Sequence, residues 1–357
     1  MGGCTSQNVN TPAILPALVV TMADVARLAG VSVTTVSHVI NGTRPASQRT
    51  RDRVLAAIER TGYRPNTIAR ALARGGTQSL GLAISGLSNP YFMDVVAAVE
   101  QAAGRAGHTL LLGDTREDAD QELRMVQALL ERRVDGLLLA PSPGAFERTL
   151  PFLAAQDVPV VLIDRMPGGD FDQVGSDNEA PTTQLVEHLA ALGHRRIGMV
   201  MGLAALPTTA ERVRGYRAGM ASAGLPVDEA LIAYGGSQRD LARDATHALL
   251  DLADPPTALV SGNNFMTIGV MRGLADRELR VPEDIALVTF DDFEWADLFH
   301  PRLTAMAQSI GELGQRAVEL LLSRIENPSL PSRSVRLPTS FVHRDSCGCH
   351  LRDPVGS

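Results

Sequence analysis

The 357-residue chain contains no lysine, so all 33 of its basic side chains are arginine. That absence excludes a Walker-type phosphate loop, which needs a lysine on the nucleotide phosphates, and any Schiff-base chemistry. Cysteine is scarce as well: Cys4, Cys347 and Cys349 are an odd number placed at the two ends. They make no disulfide framework, and the cytoplasm, a reducing compartment, is the expected location. No run of 18 or more apolar residues occurs, so neither a membrane span nor a membrane partner is expected. The apolar stretch 12–20 lacks a basic flank and a small-residue cleavage site, and residues 1–20 read as a disordered tail rather than an export signal. No Gly-x-Ser-x-Gly elbow is present and no Gly-x-Gly-x-x-Gly follows a strand pattern, which argues against a hydrolase and a nicotinamide dehydrogenase. No enzyme activity and no cofactor are expected.

What is present is unevenly distributed. Between residues 21 and 75 nine arginines stand against three carboxylates, a net of +6, which leaves −13 for the remainder of a chain whose total is −7. A basic head on an acidic body implies that the head meets a polyanion. Thr21 with Asp24 has the form of a capping box and opens a short helix whose apolar face is Val25, Leu28 and Ala29. Gly30 stops it. Ser32 then caps a second helix that turns Val36, Val39 and Ile40 inward, and a third begins at Ser47, carries Val54, Leu55 and Ile58 inward, and stops at Thr61-Gly62. Two short helices joined across 29–31 make a helix-turn-helix. The second must present Val33, Thr34, Ser37 and His38 outward. Thr and Val can touch thymine methyls and His can donate to guanine, while Ser37, Asn41, Thr43 and Arg44 are placed for phosphates.

The run 24–32, then 35–42, then Thr50-Arg51 and 62–66 resembles the headpiece of the lactose-repressor family, also called the LacI/GalR family. His38 stands where arginine is common, so a different operator preference is expected. The resemblance extends the expected DNA contacts to Thr21, Ser32, Thr35 and Tyr63, and to a hinge helix at 67–73 preceded by Asn66 and containing Ala69, Arg70 and Leu72. It implies that two such hinges fold on operator DNA and that Leu72 wedges into the minor groove, a known way of bending a duplex.

From Leu80 onward apolar runs alternate with helical patterns: 81–84, 109–112, 136–139 and 158–163, then again 197–200, 258–260 and 285–288. These read as buried parallel strands joined by helices such as 91–106 and 118–131. The expected fold class is α/β: a small all-α headpiece followed by two doubly wound parallel-sheet subdomains, resembling the ribose-type periplasmic binding fold of the same family. The boundaries expected are 21–65 for the headpiece, 66–76 for hinge and linker, and 77–345 for the effector-binding and dimerisation domain. Within the last, about 77–175 and 308–336 form one subdomain and about 176–307 and 337–345 the other. Residues 346–357 are expected to be a tail.

Doubly wound sheets bind ligands beyond the C-terminal ends of their strands. There stand Ser88-Asn89-Pro90-Tyr91-Phe92, Asp164-Arg165, Arg212, Asn263-Asn264, Asp291-Asp292, Trp295 and Gln308. Carboxylates and amides bond adjacent hydroxyls, guanidiniums bind bidentately, and aromatic rings cover a sugar face. The family resemblance singles out Asn89, Phe92, Asp164, Arg165, Arg212, Asn263, Asp291 and Gln308, with Asn264 where aspartate is usual, and Trp295 is added as a stacking ring. A sugar or sugar-acid effector of a dimeric repressor on a palindromic operator is the reading; a purine-type corepressor is the alternative. Cys347-Gly348-Cys349-His350 could be half a zinc site, but no second pair is apparent in the sequence, so no metal is expected and the segment reads as an exposed tail.

Overall fold

A computed structural model of the chain describes residues 20–41, 44–63 and 76–351, with the side chains of Asn41 and His350 excepted. It divides into two units at Gly75–Gly76. In the first, α1 (Met22–Ala29), α2 (Val33–Asn41) and α3 (Gln48–Thr61) enclose a small core of Val25, Ala26, Ala29, Val36, Val39, Val54, Ala57 and Tyr63. Each helix starts as its cap dictates. The Thr21 hydroxyl accepts from the Asp24 amide at 3.4 Å while the Thr21 amide donates to the Asp24 carboxylate at 2.9 Å, and Ser32 and Ser47 accept from the amides of Thr35 and Thr50. Leu28 and Leu55, expected inside, are exposed. Small side chains take their places: Ala26 and Ala57 let the helices approach so closely that a leucine beside them is displaced outward.

The second unit holds two six-stranded sheets. Sheet A contains β1 (Ser79–Ile84), β2 (Thr109–Asp114), β3 (Gly136–Leu139), β4 (Val160–Ile163) and β5 (Asp172–Ser176), and its sixth strand is β11 (Ser334–Leu337). All its pairings are parallel, in the order β11-β5-β4-β3-β1-β2. On one face lie α4 (Pro90–Arg105) and α11 (Ile310–Glu326), on the other α5 (Ala119–Glu131) and α6 (Thr149–Ala154). Sheet B contains β6 (Ile197–Met201), β7 (Ile232–Tyr234), β8 (Ala258–Ser261), β9 (Ala286–Phe290), β10 (Thr304–Gln308) and β12 (Thr339–Val342), in the order β12-β10-β9-β8-β6-β7. Only β12 runs antiparallel, against β10. Its faces are covered by α7 (Glu179–Ala191) with α8 (Pro207–Ser222), and by α9 (Arg239–Leu250) with α10 (Asn264–Asp276).

The buried runs at 136–139, 160–163, 197–201 and 258–261 carry apolar side chains on both faces because helices cover both. The run at 109–112 was expected to be buried, yet β2 is an edge strand with Leu112 exposed. The chain passes between the sheets three times, after β5, after β10, and across Pro338 between β11 and β12. The supposed tail is also corrected. Ser346 and Cys347 are fully buried, and the Ser346 hydroxyl donates to the Leu287 carbonyl at 2.6 Å while accepting from the Thr304 amide at 2.9 Å. Described structure therefore continues past 345 to 351. Among the described residues no helix is long and apolar enough to cross a membrane.

Candidate functional sites

In the helical unit, α1 ends where Gly30 adopts φ +61°, a left-handed conformation that glycine takes without steric cost. Arg53 of α3 secures that turn, donating to the Ala29 and Gly30 carbonyls. The face of α2 turned from the core carries Val33 and Thr34, both exposed, and Thr35, Ser37 and His38, which are half-buried. Val33, on the first turn of α2, leaves 46% of its surface exposed. Thr21, Ser32 and Arg44 are exposed on the same unit. Tyr63 is packed in the core, so its ring serves the fold of this unit first. Thr43, Asn66, Ala69, Arg70 and Leu72 lie outside the described residues, as does the side chain of Asn41.

The larger unit contains a cavity of about 470 Å³ lined from both sheets. Eight of the nine side chains expected at the effector line it: Asn89, Phe92, Asp164, Arg165, Arg212, Asn263, Asp291 and Gln308. Their placement follows the strand ends. Asn89 caps α4 after β1, its Oδ1 accepting from the Tyr91 amide at 3.0 Å, and Asn263 caps α10 after β8 in the same way. Asp164 follows β4 and Asp291 follows β9, with φ of +63° and +71°. The ninth residue, Trp295, does not line the cavity. It sits in a short turn, Glu294–Asp297, with 47% of its surface exposed. Asp292, just before it, is held in a two-pronged pair with Arg344 at 2.9 Å for each bond, and the chain leaves the cavity there.

The polar groups are arranged as two walls. On the sheet A wall the Arg165 guanidinium donates to both oxygens of Glu117 and, at 2.8 Å, to the Pro141 carbonyl. Glu117 follows the end of β2, a strand end where no site residue was expected; the same strand-end rule that picked out Asp164 would have found it. Burial pushes its carboxyl up, but the charge and hydrogen bonds of Arg165 outweigh this and hold it below the usual range. On the sheet B wall Arg212 makes no hydrogen bond to a carboxylate among the described residues, though its charge acts on Asp291. Its Nε donates to Asn178 Oδ1 at 2.9 Å, its Nη1 to the Gly262 carbonyl, and its plane lies 3.8 Å from the centre of the Phe290 ring. Asn178 lies far from any strand-end motif, and no sequence signal marks it.

Between the walls runs a continuous chain of polar contacts. The Tyr91 hydroxyl donates to Asp164 Oδ1 at 2.6 Å, Gln308 Oε1 lies 3.3 Å from that hydroxyl, and Gln308 Nε2 donates to Asp291 Oδ1 at 2.6 Å. Burial pushes the carboxyls of Asp164 and Asp291 up, only partly countered by Arg165 and Arg212 respectively. Burial also pushes the Tyr91 phenol well above its ordinary range, so it is a fixed proton donor. Such an arrangement can hold vicinal hydroxyls: carboxylates accept, guanidiniums and amides donate, and Phe92 and Phe265 supply apolar surface. Asn264 is buried behind this lining rather than in it.

A DNA-reading helical fold followed by a two-sheet unit with a polar cleft defines a ligand-responsive regulator of transcription. Residues 21–66 match the model for bacterial regulatory proteins of the lacI family, and residues 186–347 match a periplasmic binding protein-like domain. The Escherichia coli (strain K12) ribose operon repressor is 35% identical over 333 residues, covering 91% of this chain and 99% of that protein. The HTH-type transcriptional repressor PurR of Photobacterium profundum is 33% identical, covering 91% and 98%. Among solved structures, the lac repressor dimer bound to operator and the anti-inducer ONPF superimposes with a TM-score of 0.82 at 29% identity, covering 92% of this chain and 99% of that one. The chain belongs to the lacI family of bacterial regulatory proteins.

Proposed function

We propose that this chain is a cytoplasmic, homodimeric transcriptional repressor that releases a palindromic operator when its cleft takes up a neutral sugar. The observation that carries the choice of ligand is the charge state of the two walls. Arg165 is already neutralised by Glu117, while Asp164 and Asp291 stay turned toward the cavity. A sugar acid or phosphosugar would have to approach two buried carboxylates with Arg212 as the one guanidinium there not paired with Glu117, whereas hydroxyls add donors to the single side-chain donor each carboxylate has, Tyr91 for Asp164 and Gln308 for Asp291. A purine would call for stacking from both sides. Trp295, one of the two rings that reading counted on, lies outside the cavity, which leaves Phe92 and Phe265 as the rings a purine would have to use.

On the DNA, Val33, Thr34 and His38 of α2 read bases in the major groove, and Thr21, Ser32, Thr35, Ser37, Asn41, Thr43 and Arg44 hold the backbone. The hinge residues Asn66, Ala69, Arg70 and Leu72 enter the minor groove in pairs. Asn89, Phe92, Asp164, Arg165, Arg212, Asn263, Asp291 and Gln308 hold the sugar. Its binding changes operator affinity through a coupling of about 1–3 kcal/mol, the usual size for allosteric pairs of sites.

A thermal-shift screen of ribose, other neutral sugars, sugar acids and purines tests the ligand, since a ligand at 100 times its dissociation constant adds about 2.7 kcal/mol of stability. A neutral sugar should stabilise the chain and release a fluorescent palindrome selected from the promoter region upstream of its own gene. Stabilisation by a purine with tighter DNA binding would overturn the reading.

A further inference from the structure

The two cysteines of the C-terminal segment meet two histidines that the sequence places far from them. His188 lies in the last turn of α7, His343 follows β12, and Cys347 and Cys349 flank Gly348, whose φ of +77° turns both thiols to one side. The Nε2 atoms of both imidazoles and the Sγ atoms of both thiols all lie within 4.8 Å of one another. Cys349 Sγ is 2.9 Å from His343 Nε2, 3.1 Å from Cys347 Sγ and 3.5 Å from His188 Nε2; Cys347 Sγ is 3.3 Å from His343 Nε2. This is the second pair of possible ligands that the sequence did not reveal, and the expectation of an exposed tail is corrected by the burial of Ser346 and Cys347.

Hydrogen bonding alone accounts poorly for this geometry. A thiol has one weak donor proton and a poor acceptor, yet Cys349 Sγ meets three polar atoms at once. Four soft and borderline donors converging on one point without a carboxylate among them form the His2Cys2 set that favours tetrahedral zinc. The surroundings suit a closed structural centre. Cys347 is buried and belongs to the core between sheet B and α7–α8, Cys349 packs on that core, and the Phe341 ring lies 5.0 Å from the His188 ring.

We propose that His188, His343, Cys347 and Cys349 bind one Zn²⁺ that staples the C-terminal segment to α7. On binding, the two thiols lose their protons to solvent, two S–Zn and two N–Zn bonds form, and the two thiolates balance the charge of the ion with no redox change. All four positions are filled by protein, so the ion has no open site for catalysis and acts on the fold. The stapled segment is the one that supports the cleft from below. Arg344 holds Asp292 beside Asp291, and Ser346 joins β9 to β10, from whose ends Asp291 and Gln308 project.

The test uses the full-length chain, purified under reducing conditions with a tag that contains no histidine. Elemental analysis should find one zinc per chain, and replacement with Co²⁺ should give the visible absorption of a tetrahedral thiolate site. In Cys349→Ser and His343→Gln, each at a partly or fully exposed position, the zinc content should fall below a tenth per chain while circular dichroism retains the native spectrum. Removing zinc from the wild type with a chelator should lower its melting temperature, and the chelator should have little effect on either variant. The proposal is overturned if the reduced wild type carries no zinc and takes up none when Zn²⁺ is added in equal amount. Zinc retained in both folded variants would also overturn it, as would peptide mapping of the purified chain that finds Cys347 and Cys349 joined in a disulfide.

Discussion

The two walls of the cleft are built from the same parts and are wired differently. Each ends a parallel strand with an aspartate in a left-handed conformation, and each offers one buried arginine. The sheet A wall closes its arginine with the carboxylate of Glu117; the sheet B wall holds Arg212 with an amide, a carbonyl and an aromatic face. A buried guanidinium paired with a carboxylate is electrically satisfied before any ligand arrives, while one held by neutral acceptors still has charge to direct. One wall is scaffold and the other is reader.

The largest effect should therefore come from the reader. Arg212→Leu should weaken binding of the sugar that stabilises the wild type by about 100-fold, within the roughly 2–5 kcal/mol lost when a buried charged contact is truncated; calorimetric titration measures it. On the scaffold wall the loss should appear in the fold instead. Glu117→Gln leaves Arg165 with the more distant carboxylate of Asp164, 3.7 Å away, and because the Glu117 side chain is 24% exposed the cost should be about 2–3 kcal/mol, somewhat under the usual buried-pair value. For a domain of this size that lowers the melting temperature by roughly 3–5 °C.

Acid should act on Glu117 and on the two aspartates with opposite signs. Glu117 has a depressed carboxyl, so its stabilisation is present above the ordinary carboxylate range and lost as pH falls through its lowered value. Asp164 and Asp291 have raised carboxyls, so each penalises the empty fold above its raised value, and that penalty lifts as pH falls toward the ordinary range. The ligand-free melting temperature should hold or rise on first acidification before Glu117 is lost, and Asp291→Asn should flatten that rise. The smallest effect is expected at Trp295→Ala, which should change sugar affinity by less than about twofold because the ring lies outside the cavity. A tenfold loss there would show that Trp295 takes part in binding.

Sequence reading recovered what local rules control. Caps, stops and apolar periods located α1–α3 and most central strands, and the strand-end rule together with the family resemblance singled out eight residues that line the cavity. It failed where tertiary context decides. Leu28 and Leu55 have helical spacing suited to the core, but the choice between leucine and the neighbouring alanines is made by how closely helices pack. Strands β5, β7 and β10–β12 are short and mixed in polarity, and β5 is buried between β4 and β11, a partner more than 150 residues away. His188 and Cys349 stand 161 residues apart, and no spacing pattern spans such a gap.

The left-handed conformations of Asp164 and Asp291 constrain how this cleft can diversify. Backbone at such φ values is comfortable for glycine and tolerable for asparagine and aspartate, and costs other side chains roughly 1–2 kcal/mol. Two of the most central positions thus carry a backbone cost for most replacements, a cost this chain does bear at Arg116 and Glu117, with φ of +56° and +55°. A descendant of this protein can exchange charge for amide there, or remove the group altogether, without that cost; Phe92 and Arg212 carry no such constraint.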